Sequence, residues 1–144
     1  MRGTFSLTNK TRATVRGIPF KKIKEEVLGA PYELSVALLT PAQARKVTRE
    51  SKGKDKASNV LAFPLTKHSG EVLLCPATAR VEAAAYDMTP KIFLTYLFIH
   101  GCLHLKGMAH GGTMERTERR ILMSVHSFTH AKNSNRNRRR HLSR

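Results

Sequence analysis

At 144 residues and 16.1 kDa the chain has room for one domain with a real core and not for two. Lys and Arg total 26 against 10 Asp and Glu, a formal charge of +16 that suits polyanionic partners, nucleic acid first. The longest apolar run, near "IFLTYLFI", is about half of what a bilayer span needs; two cysteines, Cys75 and Cys102, make no disulfide framework, and no cleavable signal pattern follows the first ten residues. A soluble protein of the reducing cytoplasm, with no membrane partner and monomeric by default, is the expectation.

The opening "GTFSLTNKTRATVRG" predicts a short strand and a loop. "PFKKIKEEVLGA" then places Phe20, Ile23, Val27 and Leu28 at helical spacing between Pro19 and Gly29. "LSVALL", Leu34 to Leu39, reads as a strand buried on both faces. Thr40 caps a helix that starts at Pro41 and shows Ala44 and Val47 to the core. Ser51 to Asn59 is a polar loop. "NVLAFPL" predicts a strand closed by Pro64, and "EVLLC", Glu71 to Cys75, its hairpin partner after the turn "TKHSG".

Pro76 opens the alanine-rich helix "PATARVEAAAYD". Thr89 and Pro90 open "KIFLTYLFIHGCLHLK", about four turns ending at Gly107, and "TMERTERRILMSVHSF" follows with Met114, Ile121, Leu122 and Val125 inward. The order βαβαββααα predicts a single α/β (α+β) domain over residues 1–130, about four strands in a small mixed sheet packed with about five helices. Residues 131–144 carry six Lys or Arg and no acid, and are expected to be a disordered basic arm.

The chemistry concentrates in "HGCLHLKGMAH". His100 and His104 are i and i+4, so on a helix they stack about 6 Å apart on one face. His110 lies beyond Gly107, which can end the helix in a left-handed turn and return the chain. Three imidazoles on one divalent ion leave a fourth position to water, the pattern of a catalytic zinc site with one Zn²⁺ per chain. Gly101 is costly mid-helix unless something approaches closely. His126 and His130 repeat the four-residue spacing without supporting context and are expected at the surface. Position 101 is glycine, so the HExxH signature of metallopeptidases is absent. Glu71, with Asp55 behind it, is the candidate acid to assist the water, and Lys52, Lys54 and Lys56 are placed to hold phosphate oxygens. A hydrolytic metal site on a basic protein favours a phosphodiester substrate.

Three blocks carry a resemblance. "HGCLHLKGMAH" is similar to HGxLHLxGxDH, "KGKDKASNVLAFP" to RGKDxxTNVLSFP, and "GEVLLCP" to GDIxIxP, all signatures of the YbeY family of bacterial endoribonucleases. The resemblance runs from about Thr4 to Val125. It implies a single α/β domain with metal held by His100, His104 and His110, and cleavage of single-stranded RNA. It further implies maturation of the small-subunit rRNA 3′ end, ribosome quality control, and partners in the small ribosomal subunit or its associated proteins. By position, the basic residue assigned to RNA contact is Lys52, where the family has arginine; Ala109 stands where it has aspartate before the third histidine, and Ala62 where it has serine. Lysine keeps the charge without the bidentate fork, and alanine removes any orienting hydrogen bond to a ligand. The competing class is a non-catalytic, ribosome-associated RNA-binding protein braced by the metal.

Overall fold

The computed structural model describes residues 3–125. The basic arm and His126 and His130 lie outside the described residues. The chain forms β1 (Phe5–Asn9), α1 (Phe20–Leu28), β2 (Glu33–Leu38), α2 (Pro41–Lys52), β3 (Val60–Thr66), β4 (Ser69–Leu74), α3 (Pro76–Glu82), a 3-10 turn (Ala83–Tyr86) and α4 (Pro90–Lys106). A final helix, α5, spans 112–125. The four strands make one mixed sheet in the order β1-β2-β4-β3. β1 and β2 are parallel, as are β2 and β4, while β3 runs antiparallel to β4 as its hairpin partner.

Alternation along the strands divides the core into two layers. Leu34, Val36 and Leu38 of β2 and Val72 and Leu74 of β4 face α1 and α4 and join the larger cluster with Ile23, Phe93, Phe98 and Ile99. Leu61, Leu73 and Cys75 face the other way and pack with Leu39, which precedes α2, and with Ala44 of α2. β2 is therefore not buried on both faces along its length, as its apolar run suggested: Glu33 and Ser35 are exposed, because α2 reaches only the far end of that face. β3 also differs from expectation. It continues past Pro64 to Thr66, with a register irregularity between Pro64 and Thr66. Proline cannot donate to a ladder, but β3 is an edge strand, so no donor is required on its open side. The alanine-rich segment tightens after Glu82 into the 3-10 turn and ends at Asp87, whose φ of 53° is left-handed.

α4 is the centrepiece. Phe93, Leu94, Leu97, Phe98, Ile99, Cys102 and Leu103 are buried, touching α1, α3, β3 and β4. A helix apolar on nearly every side is a core helix, and each fully buried large side chain here contributes about 1.5–3 kcal/mol. Phe98 meets Phe20 of α1 edge to face at 4.9 Å. Thr89 caps the start, accepting from the Ile92 amide at 3.2 Å, and Gly107 ends the helix at φ 100°. One stripe stays open: Ile92, Tyr96, His100 and His104 are only partly buried.

Candidate metal centre

The open stripe of α4 forms one wall of a groove of about 470 Å³, and β3, through Val60, Ala62 and Pro64, forms the other. His100, His104, His110, Lys52 and Asn59 also line it. Close approach of the two walls depends on Gly101. A Cβ there would lie 3.1 Å from Val72 Cγ1 and 3.3 Å from Val60 Cγ2, so the close neighbour that the glycine accommodates is the sheet. Beyond the left-handed Gly107 the chain turns back, and His110 comes over the last turn of α4. Ring centroids are 4.5 Å apart for His100 and His104, 4.5 Å for His104 and His110, and 5.3 Å for His100 and His110.

One nitrogen from each ring lies within 4.8 Å of the others, and His100 Nε2 is 3.0 Å from His104 Nε2. His100 Nδ1 lies 2.5 Å from Glu118 Oε1; an ionised carboxylate can only accept, so it selects the tautomer with the proton on Nδ1, and Nε2 is the atom turned toward His104. At this spacing the two Nε2 atoms either share a proton, as a hydrogen bond from one ring to the other, or share a cation. The residues fit a divalent ion: three imidazoles of borderline softness, with an open side toward the groove. Burial, then the proximity of His100 and His110, pushes the His104 pKa below its ordinary value, Glu118 opposing and Lys52 adding slightly. His104 is thus held neutral, the form that ligates metal.

Lys52 is the last residue of α2, where the left-handed Gly53 (φ 69°) ends the helix. The following loop is pinned at two points. Buried Thr48 donates to the Ser58 hydroxyl at 2.9 Å, and the Asn59 amide donates to Glu82 at 2.7 Å. A second cavity of about 260 Å³ adjoins the groove, shares Lys52 and Asn59 with it, and is rimmed by Lys54 and Lys56. The structure therefore brings Lys52 to the three histidines.

It does not bring Glu71 there. Val72, the next residue on β4, packs against Gly101 of α4, while Leu73 belongs to the α2 layer. Glu71 shares the face of Leu73, away from the histidines, and no carboxylate lines the groove among the described residues. Asp55 is exposed and engaged by Arg49 at 3.1 Å and Arg45 at 3.8 Å. The acid that does touch the ligand set is Glu118, which the sequence reasoning passed over. The signal was present: Glu118 falls on the inward stripe of α5 between Met114 and Ile121, an acid where the spacing calls for an apolar residue.

Comparison with known proteins agrees with this geometry. Residues 4–128 match the family model described as Endoribonuclease YbeY. Among proteins of that name, the one from Methylobacillus flagellatus is 30% identical over 76% of this chain and 74% of its own. Those from Azorhizobium caulinodans and Neisseria meningitidis serogroup C are 38% identical (65% and 67% covered) and 31% identical (86% of each covered). A Thermotoga maritima protein solved in solution shares the fold, with a TM-score of 0.69 over 92% of this chain and 95% of that one, at 21% identity. The chain belongs to the YbeY endoribonuclease family.

Proposed function

We propose that this chain is a zinc-dependent endoribonuclease of the cytoplasm that cuts single-stranded RNA, acting in maturation of the small-subunit rRNA 3′ end and in ribosome quality control. The observation that carries the reading is the convergence of His100, His104 and His110 on a groove that Lys52 also lines, in a member of an endoribonuclease family. Three imidazoles with an open side suit Zn²⁺ and leave room for a substrate oxygen. No helix among the described residues is long and apolar enough to cross a membrane.

His100, His104 and His110 would hold a divalent ion, which when bound would supply Lewis acidity toward a phosphoryl oxygen or a water. The chain's own groups do the rest. Neutral His104 offers its lone pair without competing protonation. The Lys52 ammonium offsets charge that develops on the scissile phosphate. Lys54 and Lys56, around the adjoining cavity, hold flanking phosphates and set the strand's direction along the groove. With Glu71 on the opposite face of the sheet, proton removal from the nucleophile does not pass through it.

The test is metal content of protein purified without added metal, run alongside cleavage of a single-stranded RNA by wild type and His104→Ala. About one zinc per chain, and cleavage lost in the variant, is expected. A 2′,3′-cyclic phosphate product would identify the ribose hydroxyl as nucleophile. The competing role, a metal brace in a non-catalytic RNA-binding protein, draws on the His100 to Glu118 contact that ties α5 to α4. Stoichiometric metal without cleavage would favour it.

A further inference from the structure

We propose that Glu118 is the positioning residue of this metal centre: it fixes the tautomer and plane of His100 and supplies the counter-charge for the bound cation. The inference rests on the metal reading above.

The argument begins from burial. Glu118 is 1% exposed, on the stripe of α5 that otherwise carries Met114 and Ile121 into the core. A carboxylate so placed is costly unless donors satisfy it. His100 Nδ1–H donates to Oε1 at 2.5 Å, and Tyr96, one turn earlier on α4, sets its hydroxyl against the same carboxylate. Both partners come from the open stripe of α4. The acid therefore joins the two helices at the point where the ligands sit.

The contact has a chemical consequence. In water a neutral imidazole exchanges its proton between two nitrogens and its ring rotates freely. Committing Nδ1–H to Glu118 leaves Nε2 unprotonated and directs it to within 3.0 Å of His104 Nε2. Loss of the carboxylate would let the proton move to Nε2 and block the ligand position. Charge adds a second effect. The chain carries +16, Lys52 lines the groove, and the three ligands are uncharged when they bind, so a dication enters an electropositive site. Asp55 is engaged by two arginines, Glu82 accepts from Asn59, and Glu71 lies on the far face of the sheet. Glu118 is the carboxylate in contact with a ligand. Ala109, at the position where an aspartate could have helped, is exposed and has no polar side chain.

The experiment is zinc affinity of wild type, Glu118→Gln and Glu118→Ala, measured by competition with a chromophoric chelator and accompanied by circular dichroism. Long-range ¹⁵N correlation on the metal-free proteins reads the His100 tautomer. Gln keeps an acceptor for Nδ1–H but loses the charge, and is expected to bind zinc about tenfold more weakly; Ala loses both, and should approach a hundredfold. Wild-type His100 should carry its proton on Nδ1, and the Ala variant should shift it toward Nε2. Folded Gln and Ala variants that bind zinc within about twofold of wild type would overturn the proposal while leaving the metal reading intact, as would an unchanged tautomer. If Ala does not fold, Gln and its ¹⁵N spectrum decide. A wild type that binds no zinc would overturn both.

Discussion

Replacing Lys52 separates the RNA-contact role from everything else the site does. Lys52 is exposed, lines the groove shared with the three histidines, and forms no ion pair among the described residues. Lys52→Ala therefore removes a favourable charge from the end of α2, about 0.5 kcal/mol at most for an exposed site, and should lower Tm by about 2 °C or less. A charged hydrogen bond to phosphate is worth about 1.5–3 kcal/mol. Discounted for solvent screening, about 1–2 kcal/mol remains, roughly a 5- to 30-fold loss in kcat/KM. The assay is cleavage of a single-stranded RNA as a function of salt. Each phosphate neutralised on a single strand contributes a slope of about 0.7 in log K against log salt, so the alanine variant should lose about that much. Lys52→Arg should keep the slope and tighten binding, since the guanidinium adds a fork matched to phosphate. An alanine variant with unchanged kcat/KM and unchanged salt slope would refute the role of Lys52.

The remaining predictions concern the histidines and the wall behind them. Because the folded pKa of His104 lies below its ordinary value of 6.5, the unfolded chain binds the proton more readily. Chelator-treated protein should therefore keep its full stability above about pH 6.5 and lose it progressively as pH falls through the folded pKa, with His104→Ala flattening that decline; thermal melts across the range read the sign, and a gain on acidification would contradict it. Gly101→Ala gains about 1 kcal/mol of helix propensity but sets a methyl 3.1 Å from Val72, which is fully buried on an interior strand and cannot yield. An overpacking cost of about 2 kcal/mol should leave the variant about 1 kcal/mol less stable in urea, and a more stable variant would contradict the packing account. Zinc at about 100 times its Kd should stabilise the wild type by about 2.7 kcal/mol, near 10 °C in Tm. His110→Ala should forfeit most of that gain while melting like wild type in chelator, because His110 is exposed and outside the core; collapse of the metal-free variant would instead mark His110 as structural.

Local features of the sequence were legible because their physics is local. Thr40 before Pro41, and Thr89 before Pro90, announce helix starts; the structure shows a side-chain cap at both, and at the first Gln43 completes a reciprocal capping box. Gly107 announces the end of α4, and the histidine spacing around it suffices to bring three rings together. What escaped depends on which elements become neighbours. Pro64 looks like the end of a strand until β3 is known to be an edge. Glu71 looks well placed until α4 is known to cover the Val72 face, since a step of one residue along a strand reverses the side. Glu118 stands out locally as an acid on an apolar stripe, but its partner His100 lies 18 positions away, a pairing that no local pattern spans.

The same charge distribution has to serve two partners with opposite requirements. A net charge of +16 draws a polyanion toward the groove and, taken alone, repels a metal cation from it. Distance resolves the conflict. At physiological salt the Debye length is about 8 Å, so exposed lysines and arginines farther away act on an ion in the groove only weakly. Glu118, sheltered from solvent and in contact with a ligand, acts at nearly full strength. RNA, by contrast, is extended enough to meet many surface cations in turn, and Lys52 at the groove with Lys54 and Lys56 around the adjoining cavity offer three in succession. Lys52 and Ala109 both lie at the exposed front of the site. The buried back, where α4 and α5 meet, holds the negative charge on which the cation depends.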